Sequence, residues 1–208
     1  MSGDDRVDVV GTGSAQARPD LMVVYLGAEA TGAEVASVLA AAEAAATAMA
    51  AAARSAGAAD ADVRTSDVTV QPNYGQQGPE GYRVSLGMML TLRDLTAAGG
   101  ALAMVVAAGG DASRVQSVSM TLSEPQPVLD AAREAAFADA RHQAEQLARL
   151  AGRTLGGVRR VTPQPEPFDA FPRAAFMQQS GAAKTAAVPI EAGAATLTVS
   201  LLVRFDLD

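Results

Sequence analysis

No cysteine occurs in the 208 residues. Its absence removes disulfides, Cys-ligated zinc, iron–sulfur centres, thiol nucleophiles and the lipid-modified cysteine of a bacterial lipoprotein together. The redox compartment stays open. Tryptophan is absent as well, and only five Phe and three Tyr accompany an apolar share of 49%. Ala is the largest part of that share, so the core is expected to rely on close backbone approach more than on large side chains. A single histidine, His142, cannot build a His-rich metal site, and any Ser-His-Asp system would have to use it. Beside Arg141 and near Glu145, it reads as a surface residue.

Basic charge is scarce: 16 Lys and Arg face 23 Asp and Glu, a formal charge of −7. Such a field repels phosphate backbones, so nucleic acid and anionic membrane surfaces are not expected partners. The densest basic run, Arg159-Arg160 preceded by Arg153, is too small for a groove. Lys184 is the lone lysine, which reads as coding bias. No run approaches about 18 uninterrupted apolar residues, and the Ala-rich stretch around residue 45 contains Glu43 and Arg54, so no transmembrane segment is expected. Met1-Ser2-Gly3-Asp4-Asp5 lacks the basic start and apolar stretch of a secretory signal. The chain as it stands is therefore expected in the cytoplasm; an exported (periplasmic or extracellular) chain trimmed of its leader would look the same.

What is present is periodicity. Val7 and Val9 alternate with Asp8, and Leu21 to Ala30 alternates again; Arg18-Pro19-Asp20 between them supplies turn chemistry, so a hairpin is expected. Val35, Val38, Leu39, Ala42, Ala46, Met49 and Ala53 recur at three- and four-residue steps, one stripe of a helix over about 33–56 ended by Gly57. Val63 to Gln71 reads as a third strand. Gly81 to Arg93 reads as a fourth, with Tyr82, Val84, Leu86, Met88, Leu90 and Leu92 on one face. The Pro/Asn/Gly-rich residues 72–81 are expected to form a wide hairpin loop. A short helix follows from Asp94, its expected N-cap, to Ala108. A fifth strand carries Val118, Met120 and Leu122.

A long helix is expected from Pro125/Pro127 to Ala151, burying Leu129, Ala132, Ala136, Ala140, Ala144, Leu147 and Ala151, with Arg141, Glu145 and Arg149 as an exposed ladder. Strands near 155–161 and 194–207 complete the order ββαββαβαββ, an α+β fold with Ala-rich helices packed on an antiparallel or mixed sheet. One domain, 1–208, is expected, with a Pro-rich loop insertion at about 162–193.

Gly11-Thr12-Gly13-Ser14 after a strand has the outline of a dinucleotide-binding turn, but Gln16 and Pro19-Asp20 follow where a helix should begin, so no helix N-terminus is available for a pyrophosphate. A glycine-permitted bulge is the preferred reading. Asp60, Asp62 and Asp67 lack the glycine and terminal Glu of a calcium loop. Paired acids for hydrolysis assemble only in three dimensions and no pair stands out, so no catalytic residue, cofactor or metal is expected, with a hydrolase as the minor alternative. The aromatic loops are the candidates for interaction: Tyr74 and Tyr82 flank one Gln/Gly/Pro segment, and Phe168, Phe171 and Phe176 fall in the Pro-rich one. These rings either cover the open end of the sheet or form a binding surface.

Val9-Val-Gly-Thr-Gly-Ser14 with Arg18-Pro-Asp20, Val63 to Tyr74 followed by Gly81-Tyr82, Leu122-Ser-Glu124, Ala135 to Ala144 and Leu147 to Gly157, closing with the strand to Phe205, together resemble the SIMPL-domain family, which includes bacterial periplasmic immunogenic proteins. The resemblance implies an oligomeric scaffold without catalytic residues, and a homo-oligomer with an envelope or stress-related role. The alternative is a module that binds an apolar small molecule or peptide through Tyr74, Tyr82 and the three Phe.

Overall fold

Alternation in β4 (Gly78–Leu92) puts Val84, Met88, Leu90 and Leu92 on one side, where all four are buried. A computed structural model of the protein describes residues 5–75, 78–164 and 193–208. The element order is the expected ββαββαβαββ: β1 (Arg6–Ala17), β2 (Leu21–Gly32), α1 (Val35–Ser55), β3 (Val63–Gly75), β4, α2 (Ala98–Gly109), β5 (Ser113–Thr121), α3 (Gln126–Leu150), β6 (Leu155–Gln164) and β7 (Ala195–Leu207). The described strands form two antiparallel sheets, and the chain divides into two compact units.

The unit spanning 19–121 holds the sheet β3-β4-β2-β5. Met22, Val24, Leu26 and Ala28 of β2 and Met88, Leu90 and Leu92 of β4 meet Met49 and Ala53 of α1 and Ala101, Leu102 and Val105 of α2. Each fully buried Met, Leu or Val contributes roughly 1.5–3 kcal/mol. The predicted stripe of α1 is buried at Val38, Ala42, Met49 and Ala53. Its mean hydropathy, 1.6 over 18 residues, and its length would suffice to cross a membrane, but here the stripe lies on β2 and β4. Alanine's small side chain permits that close approach. Asp94 does not cap α2 directly. Its Oδ1 accepts from the Thr96 N–H and hydroxyl and the Ala97 N–H, closing the turn before a helix that begins at Ala98.

In the other unit, built from the N-terminal strand, residues 122–164 and the C-terminal strand, β7 pairs with β1 on one side and β6 on the other. The hairpin expected between β1 and β2 does not form. β1 pairs instead with β7, Arg6 opposite Asp206 through Ala17 opposite Ala195, and β2 belongs to the other sheet. Turn chemistry at Arg18-Pro19-Asp20 redirects the chain but says nothing of partners. Arg204 forks both oxygens of Asp8 at 2.7 Å across this pairing, and the hydrogen bonds from Arg204 hold the Asp8 carboxyl below the usual carboxylate range.

The bulge expected at Gly11 and Gly13 is also absent, since the register with β7 is unbroken. The glycines serve α3: a Cβ on Gly11 would lie 2.1 Å from the Ala136 carbonyl oxygen, and one on Gly13 2.2 Å from the Ala136 nitrogen. Ala132, Ala136, Ala140, Ala144 and Ala148 form the buried row of α3 at strict four-residue steps. Leu147 and Ala151, expected in that row, are exposed, because the row keeps its four-residue step from Ala144 to Ala148 and leaves both of them off it.

Candidate functional site

The wide loop expected over 72–81 is narrower than its composition suggests. β3 and β4 continue pairing into it, with Pro72 opposite Tyr82, Asn73 opposite Gly81 and Tyr74 opposite Pro79. Tyr74 is 71% exposed and Tyr82 37% exposed, so both candidate tyrosines stand at the surface of one hairpin. Phe168, Phe171 and Phe176 lie outside the described residues, as does most of the Pro-rich insertion; its first residues, Thr162–Gln164, belong to β6.

β3 is an edge strand with β4 as its one neighbour among the described strands. Proline has no N–H, so the Pro72/Tyr82 pair is of the non-hydrogen-bonded kind. Alternation from that point turns the N–H and C=O of Val70 and Val68 away from β4, toward the free edge. Their side chains share the face of their partners Val84 and Leu86, which is the face covered by α1. Yet Val68 is 60% and Val70 46% exposed, because α1 packs on β2 and β4 and touches β3 little. The sequence reading passed over these two valines. Their signal was the spacing Val68, Val70, Pro72 on a strand whose proline demands an edge.

The other three edges among the described strands differ from β3 in different ways. On β1, the Thr12 N–H donates to Asp139 Oδ2 at 2.9 Å, and Gln143 Nε2 donates to both the Val10 carbonyl and Asp139. On β6, two breaks of register and the Arg159–Asp206 pair disturb the edge. On β5, Ser113, Arg114, Gln116, Ser117 and Ser119 surround a single exposed valine, Val115, with Arg114 reaching Glu29. Exposed valines occur on these strands too, Val10 on β1, Val115 on β5, and Val158 and Val161 on β6; among the described edges, β3 is the one with two exposed valines at i and i+2 on a stretch of unbroken register.

The remaining candidates for chemistry separate in space. Asp60 pairs with Arg54, Asp67 accepts from the Ser66 hydroxyl, and Asp62, 7% exposed, is forked by Arg93 at 2.9 and 2.8 Å. The hydrogen bonds from Arg93 hold the Asp62 carboxyl below its ordinary range. Among the described residues, no three His, Cys, Asp or Glu side chains are grouped to hold a metal. His142 is exposed on α3, and beside it Arg141 pairs with Glu145, while Arg149 turns to the Glu145 carbonyl instead of extending the ladder. A cavity of about 220 Å³ beside Asp62 and Arg93, walled largely by alanines, is below the usual range for small-molecule pockets, roughly 300–1,000 Å³. A second hollow, about 300 Å³, lies between α3 and β6 over Phe137, Leu155 and Phe205.

Comparison with known proteins agrees with the fold. Residues 7–205 match the SIMPL family, described as protein of unknown function (DUF541). The uncharacterized protein YggE of Escherichia coli K12 is 26% identical over 202 residues, 95% of this chain and 81% of that protein, and its counterparts in Escherichia coli O157:H7 and Shigella flexneri match equally. The cytoplasmic location expected from the N-terminal residues is overturned by this match, because SIMPL proteins are typically periplasmic or exported. With its element order and a match that runs from β1 into β7, the chain belongs to the SIMPL family.

Proposed function

We propose that this chain is a non-enzymatic binding module of the exported SIMPL type, which takes up an extended apolar protein segment along the free edge of β3. One observation carries the reading: Val68 and Val70 combine outward N–H and C=O groups with exposed side chains on a strand bordered by Tyr74 and Tyr82. Strand addition uses main-chain hydrogen bonds for affinity and alternate side chains for selectivity, and both are present here. Aromatic rings at the border add apolar contact at low entropic cost. A labelled Val/Ile/Thr-rich peptide should bind saturably in fluorescence anisotropy. Replacing Val68 and Val70 with Lys should weaken it at least tenfold, and Tyr74→Ser should weaken it less. A flat titration with the unaltered protein would sink the reading.

A self-associating scaffold, with an envelope or stress-related role implied by family resemblance alone, is the second reading. Its support is that the β3 edge can pair with itself.

A further inference from the structure

The hydrogen-bonding pattern of β3 is self-complementary. Two copies of the strand, placed antiparallel about a two-fold axis through Thr69, set Val68 of each against Val70 of the other. Both residues turn N–H and C=O outward, so each Val68/Val70 pair exchanges two hydrogen bonds and no group of the four is left over. Centring the pairing on Val70 instead would place Val68 against Pro72, which has no N–H to donate, so the proline selects the Thr69 register. All four valines then stand on the same face as the Val84 and Leu86 to which they are paired within each copy.

Charge is compatible with this arrangement. Asp67, the charged side chain of the central 67–71 stretch, comes opposite Gln71 of the second copy and not opposite another Asp67. Outside that stretch the register break between Thr65 and Asp67 on one side, and the one between Asn73 and Tyr74 on the other, end the straight run of strand, so the pairing is short and defined at both ends. The opposite edge of the same sheet, β5, has one exposed valine, Val115, in a serine-rich sequence, without a second exposed valine two residues on.

We infer that the partner of the β3 edge is a second copy of this chain, joined antiparallel through Val68 and Val70 with Thr69 on the two-fold axis. The inference rests on β3 being a binding edge, and it specifies both partner and register. In the paired state the two Thr69 residues form a non-hydrogen-bonded pair with Cα atoms about 4.5 Å apart, within the reach of a disulfide, about 4.4–6.8 Å. Because the chain has no cysteine, a single introduced thiol reports without interference.

The experiment uses the full 208-residue chain. Thr69→Cys should form a covalent dimer under mild oxidation, much faster than Ser117→Cys on the β5 edge. Light scattering should show the unaltered protein at twice the 21.1 kDa chain mass at high concentration. Val70→Pro removes one outward N–H without touching the β3–β4 ladder and should return the monomer; Val70→Lys, at an exposed side chain, should do the same if the proline variant fails to fold. Thr69→Cys that links no faster than Ser117→Cys, or an unaltered protein that stays monomeric, overturns the inference. If those fail while Val70→Pro still abolishes peptide capture, the edge binds other strands and only self-pairing is lost. If Val70→Pro changes neither readout, both readings fall.

Discussion

The Thr12 backbone N–H and the Asp139 carboxylate, 127 positions apart in sequence, meet at 2.9 Å where β1 would otherwise present an open edge. Gln143 completes the cap by donating to Asp139 at 2.8 Å and to the Val10 carbonyl at 3.2 Å. A side chain from the packed helix thus does for β1 what no residue among those described does for β3.

Asp139→Ala should therefore destabilise the protein by about 1–2 kcal/mol, since it leaves the Thr12 N–H without its acceptor and the Gln143 amide with the Val10 carbonyl alone. Gln143→Ala should cost less, and the double variant less than the sum. Urea unfolding followed by circular dichroism measures the coupling.

Gly11→Ala and Gly13→Ala should each be destabilising by about 2–3 kcal/mol, because the added methyl meets helix backbone at 2.1–2.2 Å and only a shift of α3 can relieve it. Ala136→Val, from the facing side, should act in the same direction. Gly157→Ala, in open space, should change thermal unfolding little and serves as the control.

Asp62 links stability to pH. Its carboxyl, ordinarily near 3.8, is held lower in the folded protein by hydrogen bonds from Arg93. The unfolded chain therefore takes up the proton first on acidification. The contribution is present in full above about pH 5 and disappears as pH falls through the folded value. Asp62→Asn should lose about 1–2 kcal/mol at neutral pH, a figure kept small because Arg93 is largely exposed. Its denaturation midpoint should depend less on pH below 5 than that of the unaltered protein.

His142→Ala should leave stability within about 0.5 kcal/mol, as expected for an exposed side chain away from any cap or network. Thermal unfolding at pH 5 and pH 8 checks it.

Most elements were legible because two periods, 2 in the strands and 3.6 in the helices, dominate the chain. The alternating face of β4 and the Val38, Ala42, Met49, Ala53 stripe of α1 were readable in that way. The position of Tyr74 and Tyr82 on one hairpin was readable too, though the loop between them proved shorter, since pairing extends through Pro72 and Asn73. The valines at 68 and 70 were not singled out, because an edge strand and a central strand share the same alternation.

Local chemistry thus determined where helices and strands lie, that thiol and histidine-cluster chemistry is absent, and that the resemblance is to SIMPL proteins. Tertiary structure alone decided that β1 pairs with β7 and not with β2, that Gly11 and Gly13 admit α3 in place of a bulge, and that β1 is capped while β3, among the described residues, has a neighbour on one side only. The reason is physical: periodicity is set by each residue's neighbours along the chain. Strand partners and covered edges depend on contacts between residues up to about two hundred positions apart, whose cost and gain no local pattern records.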